Sequence, residues 1–208
     1  KSWKDYILHD LLIDRPRNGF SPPKHLQSEQ GTPVLTLSSV TGNKYNPKKI
    51  IYTKADVKKT AHYWVKDGDL LITRSNTREL VGNVAIARDV EEPTIYPDLI
   101  MKINCQEKKV HNEFLFNYLQ TSKIRKYITK NAKGANPTMV KINQEIVKNI
   151  PIKLPSIDNQ MRITKRFQEL RRHIDQYKKR LQRKLTLYDD LKVSLLTQSF
   201  SEINGTKN

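Results

Sequence analysis

A single cysteine, Cys105, is all the sequence offers for thiol chemistry. It has no partner for an internal disulfide and cannot build a zinc site on paired cysteines. Glycine is scarce, 7 residues in 208. None of the seven falls in a G-x-x-x-x-G-K-[ST] or G-x-G-x-x-G loop, so the two common backbone cradles for nucleotide phosphates are missing. No apolar run approaches the roughly 20 residues of a membrane-spanning helix, and the opening Lys1-Ser2-Trp3-Lys4-Asp5 has no apolar signal core. H-E-x-x-H pairs and nucleophile elbows are absent too, and the five histidines (His9, His25, His62, His111, His173) are scattered without ligand spacing. Acidic residues are outnumbered: 21 Asp and Glu face 38 Lys and Arg, a net charge of +17. These absences lead to the expectation of a soluble, cytoplasmic, non-catalytic chain with no metal site, whose partner is a polyanion and not a membrane. Lys1 in place of an initiator Met marks a processed chain or a piece of a longer one.

What is present divides at Leu154-Pro155-Ser156-Ile157-Asp158. Pro151 and Pro155 stop whatever precedes, and beyond them there is no Gly or Pro until Gly205. Ser156 or Asp158 can open a helix there. Apolar side chains then recur at alternating spacings of four and three: Ile163, Phe167, Leu170, Ile174, Tyr177, Leu181, Tyr188, Leu191 and Leu195, with Lys184 the one position out of pattern. The spacing predicts a helix over about 158–199, roughly 60 Å long at 1.5 Å per residue. Its apolar stripe is the narrow seam of a coiled coil and not the broad face of a helix lying on a core. A lone helix with such a seam is not stable, so it needs a second helix, from this chain or another; the alternative is a helix folded back on its own domain. Residues 156–200 are therefore assigned as a long spacer and dimerisation helix, and residues 201–208 as a flexible tail.

Residues 1–155 read as a domain mixing strands and helices, so the fold class is α+β. Val34–Leu37, Lys49–Tyr52, Leu70–Thr73, Asn83–Ile86 and Leu99–Ile103 are short β-branched or apolar runs bounded by Gly, Pro, Asn or Asp. Thr41-Gly42-Asn43 and Lys66-Asp67-Gly68-Asp69 are turns. Helices follow: one capped by Asn112 with Phe114, Leu115, Tyr118 and Leu119 on its apolar face, one from Ser122, and a short one after Asn143. Ile150–Leu154 is a terminal edge strand, where Pro is tolerated.

The charge is spread over both parts. Residues 1–157 hold 26 Lys and Arg against 15 Asp and Glu, and residues 158–199 hold 11 against 5. Two loops combine cations with residues that read base edges. In Arg74-Ser75-Asn76-Thr77-Arg78, Arg can bridge guanine O6 and N7, and Asn can bridge adenine N6 and N7. In Lys130–Thr138, Lys133 offers charge to a phosphate, Gly134 lets a backbone approach closely, and Asn136 offers an amide. Lys44, in the turn after Gly42, is a further backbone contact. The candidate DNA-binding set is thus Lys44, Arg74, Ser75, Asn76, Thr77, Arg78, Lys133, Gly134 and Asn136. Aromatics do not interleave with these cations as stacking platforms do in single-strand binders.

One pattern allows chemistry. Asp98 before a strand, with Glu107 and Lys109 after it, resembles the Asp and Glu-x-Lys set of Mg²⁺-dependent nucleases. For the three groups to converge the chain would have to turn back at once after the strand.

Ordered along almost the whole chain, a set of short matches resembles one half of the specificity (S) subunit of type I restriction–modification systems. They are Trp3 and Leu11, Gly31-Thr32-Pro33-Val34, Val65–Arg74 and Glu79-Leu80-Val81-Gly82. Further on come Phe114–Thr121, Lys133-Gly134, Ile142-Asn143, Ile150–Pro155 and Gln160-Met161-Arg162-Ile163. Ser156 stands where the family has a second Pro, and Asn159 where it has Glu. The resemblance implies a target recognition domain followed by a spacer helix, with no catalysis and no cofactor of its own. It implies duplex DNA, modification (methyltransferase) subunits carrying S-adenosylmethionine, and through them restriction subunits that use ATP and Mg²⁺, as partners. Family members carry two such domains, separated by two antiparallel helices, and each reads part of a split site. With one domain and one helix, this chain is either a half-subunit that pairs with a copy of itself or one half of a longer S subunit or fused enzyme. A two-fold pair would favour a palindromic split site. The alternatives are a basic dimeric DNA-binding regulator without a catalytic partner, and the Mg²⁺-dependent nuclease.

Overall fold

A computed structural model of the chain describes residues 3–136 and 139–205, with side chains through Phe200. Pro137 and Thr138 of the second candidate loop, and residues 206–208 of the expected tail, lie outside the described residues. The strands are β1 (Lys4–Ile7), β2 (Arg17–Asn18), β3 (Gln27–Ser28), β4 (Thr32–Leu35), β5 (Ile50–Thr53), β6 (Leu70–Thr73), β7 (Ser75–Asn76), β8 (Val84–Ile86), β9 (Ile100–Ile103), β10 (Val140–Lys141) and β11 (Pro151–Leu154). The α-helices are α1 (Asn112–Leu119), α2 (Ser122–Asn131), α3 (Gln144–Lys148) and α4 (Ile157–Gly205). The fold is α+β.

A four-stranded sheet of order β2-β9-β6-β8 forms the centre, every neighbouring pair antiparallel. Leu70, Leu71 and Ile72 of β6 are wholly buried, as are Val84 and Ala85 of β8 and Ile100 and Met101 of β9. That is why these strands are apolar runs and not alternating ones. A three-stranded antiparallel sheet, β3-β5-β4, lies beside it, linked through the bridge of Val34 to Ile95. Leu35, Val40, Val65, Leu71, Ala85, Ala87, Tyr96 and Ile100 share one apolar cluster. Burial pushes the Tyr96 phenol above its ordinary range, and its hydroxyl donates to the Arg17 carbonyl at 3.2 Å. The one charge inside β9, Lys102, is paired: Nζ lies 2.7 Å from Asp69 Oδ2 and donates to the Trp64 carbonyl at 2.9 Å. A buried ammonium persists only with such partners.

Helices α1 and α2 bury Phe114, Leu115, Leu119, Ile124 and Ile128. The expected cap at Asn112 is not observed. Asn112 lies one residue inside α1 and its Nδ2 donates to the Gly68 carbonyl at 2.8 Å. The expected edge strand is present as β11, paired only with β1, and Pro151 occupies its first position.

The chain forms two compact units, Lys1–Arg162 and Ile163–Asn208. The second is the body of α4. Its backbone stays helical to Gly205, so residues 201–205, expected in a flexible tail, extend the helix instead. At 1.5 Å per residue its 49 residues span roughly 70 Å.

Candidate nucleic-acid interface

The two candidate loops meet. β7 pairs antiparallel with β10, setting Asn76 beside Val140 and Ser75 beside Lys141. The Ile142 N–H extends the pairing by donating to the Arg74 carbonyl at 2.9 Å. On the other side of β10, Lys133 and Lys141 exchange two backbone hydrogen bonds, of 2.9 and 2.8 Å. Residues 74–76, 140–142 and 133 thus make one narrow ribbon from loops some sixty residues apart. A third segment joins it: Asn76 Nδ2 donates to Thr41 Oγ1 at 3.2 Å, which brings the turn carrying Lys44 alongside. That turn is itself pinned, because Asn83 Oδ1 accepts from the Gly42 N–H and Asn43 Oδ1 from the Val84 N–H.

Lys44, Arg78, Lys133, Gly134 and Asn136 are exposed, and Arg74, Asn76 and Thr77 are half-buried. Ser75 is a correction: expected to face a ligand, it is fully buried inside the ribbon. Asn76 spends its carboxamide within the chain, Oδ1 accepting from the Thr77 N–H at 2.9 Å and Nδ2 donating to Thr41. It joins two turns and does not present a free bidentate edge. Arg78 Nη1 donates to the Thr129 carbonyl at 2.8 Å, satisfying an open carbonyl in the last turn of α2. Arg125 Nη2 returns the contact, donating to the Glu79 carbonyl at 2.9 Å, and burial lowers its affinity for its proton. Two arginines therefore clamp the 77–82 turn to α2. Gly82 completes the clamp: with φ +71° and a hypothetical Cβ only 2.7 Å from Ile128 Cγ2, it admits no side chain.

Gly134 allows a close approach, but to its own hairpin: a Cβ there would stand 2.8 Å from the Met139 carbonyl oxygen. Arg74 is the most poised of the candidates. Its Nη1 lies 3.8 Å from Asp98 Oδ2, and Asp98 is held in turn by the Ser21 hydroxyl. Nη1 also donates to the Asp98 carbonyl at 3.5 Å, and with both contacts on that one nitrogen Nε and Nη2 remain for a base edge. Lys141, which the sequence reading did not single out, is exposed at the centre of the ribbon. The signal was the alternation Val140 in, Lys141 out, Ile142 in.

The nuclease set does not assemble. Asp98 and Glu107 lie beyond opposite ends of β9, whose four residues span roughly 13 Å at about 3.3 Å each. Lys109 Nζ is turned to the Asp10 carbonyl at 2.9 Å. Among the described residues no three His, Cys, Asp or Glu side chains group as metal ligands, and no helix is long and apolar enough to cross a membrane.

On α4, the seam residues Phe167, Leu170, Ile174, Tyr177, Leu181, Tyr188, Leu191 and Leu195 are all exposed, by 46% to 68%, and Ile163 is half-buried. Leu185, Leu187, Val193, Leu196 and Phe200 add exposed apolar surface that the four-three spacing did not include.

Residues 1–187 match the family described as type I restriction modification DNA specificity domain. The chain is 28% identical, over 79% of its length, to 38% of a putative type I restriction enzyme MjaX specificity subunit of Methanocaldococcus jannaschii. It is 24% identical, over 92% of its length, to 41% of the type I restriction enzyme EcoKI specificity subunit of Escherichia coli. The chain thus spans about two fifths of the length of the curated relatives it matches. In fold it is similar to the crystal structure of the type I restriction–modification S subunit from M. genitalium, with a TM-score of 0.58 at 14% identity, covering 84% of this chain and 40% of that one.

Proposed function

The chain belongs to the type I restriction modification DNA specificity domain family, and from that premise we propose that it reads the sequence of duplex DNA and positions separate catalytic subunits on it. The single observation that carries this reading is the ribbon: two loops rich in cations and base-reading residues, distant in sequence, joined into one surface around Arg74 and Lys141. Lysines 44, 133 and 141 supply sequence-blind attraction to phosphates, and Arg74 supplies base discrimination. Methyl transfer and ATP hydrolysis belong to modification and restriction subunits docked on the chain, which itself contributes no catalytic group and binds no cofactor. Its place is the cytoplasm, with its DNA.

The second helix that the seam requires comes from a second copy of the chain or from the other half of a longer subunit. For two copies the charge pattern favours antiparallel pairing. Residues 158–180 carry 8 Lys and Arg against 3 Asp and Glu, whereas residues 181–200 carry 3 against 2. A parallel pair sets the strongly basic halves side by side and Lys184 against Lys184. An antiparallel pair sets each basic half against a nearly neutral one. The register matching Tyr177 with Leu181 and Ile163 with Leu195 then places Lys184 opposite Ile174, next to Asp175.

The test is selection from a random duplex library by the full chain together with its methyltransferase subunit. Enrichment of a split motif, with a fixed gap between its halves, is the expected result. Equal retention of all duplexes overturns the reading.

A further inference from the structure

A second cationic surface flanks the ribbon, at the outer edge of the central sheet. Arg15, Arg17, Asn18, His62 and Gln144 line a cavity of about 350 Å³. No carboxylate lines it. Its walls are held by groups that leave cationic or donor edges free. Arg17 Nε is fixed by Asp14 Oδ2 at 3.0 Å, so its outer guanidinium nitrogens remain. His62 Nε2 donates to the Asn18 carbonyl at 2.8 Å, and its ring stands edge-on to Tyr63, which stacks on Phe20. Arg15 makes no hydrogen bond or ion pair with any described residue. Gln144 is the first residue of α3, and Asn143 before it accepts from the Ile146 N–H, which fixes the turn that carries Gln144.

Two guanidinium groups and the Gln144 carboxamide, around a small cavity that no carboxylate lines although Asp14 holds Arg17 Nε, suit a tetrahedral oxyanion. The fork of an arginine meets two oxygens of a phosphate at once, which a lysine cannot do. Asn18 Oδ1 is buried without a partner among the described residues; a water bridging to the anion satisfies it.

The position of the cavity says which phosphate. Gln144 follows Ile142 by two residues, and the Ile142 N–H is bonded to the Arg74 carbonyl. On the opposite side, β2 leads through Gly19 and Phe20 to Ser21, whose hydroxyl holds Asp98 against Arg74. Two of the three segments that line the cavity therefore lead directly to residues that touch Arg74. We propose that the cavity seats a backbone phosphate of the same duplex that the ribbon reads, with Arg15 and Arg17 neutralising it. Seating one phosphate fixes the register at which Arg74 meets its base, as backbone contacts position and base contacts specify. The inference rests on the DNA-reading function proposed above and names a part of its machinery.

The test uses the full chain with Arg15→Glu and, separately, Arg17→Gln. Arg15 makes no contact to lose, so its variant folds, and unchanged circular dichroism melting checks both. Binding to the selected duplex and to a scrambled one is followed over a salt series. Each variant is expected to weaken both complexes by the same factor and to lower the slope of log K against log salt by about 1. In addition, a duplex with a single neutral methylphosphonate linkage, moved position by position, is expected to abolish the difference between wild-type and Arg17→Gln at one linkage only. If both variants keep wild-type affinity and slope while the wild-type chain still selects its sequence, the phosphate seat is wrong and the reader stands. If the wild-type chain prefers no duplex, the reader itself falls, and the seat with it.

Discussion

Gln160, the fourth residue of α4, accepts the backbone N–H of His111 on its Oε1 at 2.9 Å, and His111 is the residue that opens α1. The same carboxamide donates from Nε2 to the Lys109 carbonyl at 3.1 Å and to the Pro155 carbonyl at 3.0 Å. Gln160 is fully buried. One side chain thus satisfies three backbone groups and ties the root of the long helix to the domain.

Gln160→Leu keeps the volume and removes all three bonds, leaving the buried Pro155 carbonyl and the part-buried His111 N–H and Lys109 carbonyl without this partner. The expected loss is about 2–4 kcal/mol of stability, since an unmade buried bond costs its full desolvation. Urea unfolding of the variant checks it, and an unchanged midpoint would show these groups to be hydrated.

The antiparallel register makes an unusual forecast for the seam. Leu181→Asp places a charge against an apolar Tyr177 of the partner helix and should dissociate a pair of copies into monomers. Ile174→Asp, equally drastic in isolation, meets Lys184 of the partner and should dissociate far less. Lys184→Leu should tighten the pair. Sedimentation equilibrium of the three variants reads this directly; a parallel pair would make the two aspartates comparably disruptive, because each substituted residue would then face its own copy.

Arg74→Ala should cost about 1–3 kcal/mol at one base pair and leave the others read as before. Lys141→Ala should weaken all duplexes alike and reduce the salt slope by about 1. Competition binding against duplexes substituted at each position separates the two roles. A uniform loss for Arg74→Ala would move that residue to the phosphates.

Cys105 is buried, and desolvation pushes its thiol up to about 12 from an ordinary 9.0. The thiolate is the reactive form, so at pH 8 the folded protein should alkylate about a thousandfold more slowly than the unfolded chain. The sign for stability follows. The protonated thiol is the favoured buried form, so its contribution is complete below pH 9 and is lost as pH climbs towards 12. Iodoacetamide labelling with and without urea tests the first statement; alkaline unfolding of wild-type and Cys105→Ala tests the second.

How much of this was legible beforehand depended on length. Fully buried or long runs announced themselves: Leu70–Thr73 and Ile100–Ile103 are apolar because both their faces are covered, and α4 is written in its four-three spacing, whereas β1, four residues but mostly exposed, did not. The two-residue strands were invisible, since a period cannot be read from Arg17-Asn18, Ser75-Asn76 or Val140-Lys141. Their pairing is tertiary, and it is what converts the two candidate loops into a single surface. Composition singled out both loops, yet could not tell that Ser75 points inward or that Asn76 and Arg78 are committed to Thr41 and Thr129. Polar residues look alike in sequence whether they meet solvent, ligand or chain. The clustering of Arg15, Arg17 and His62 could not be read either, because those residues become neighbours only when β2 takes its place at the sheet edge.

The pairing of β1 with β11 sets Lys4 against Leu154 and Ile7 against Pro151. The domain therefore starts and finishes at the same doorstep, a few ångströms apart and immediately before the helix. A module closed in this way can be exchanged between residues 4 and 154, provided its replacement again offers Gln160 a backbone N–H and carbonyl in the places of His111 and Lys109. On the DNA-reading function proposed above, the exchange of that one cassette would change which letters are recognised.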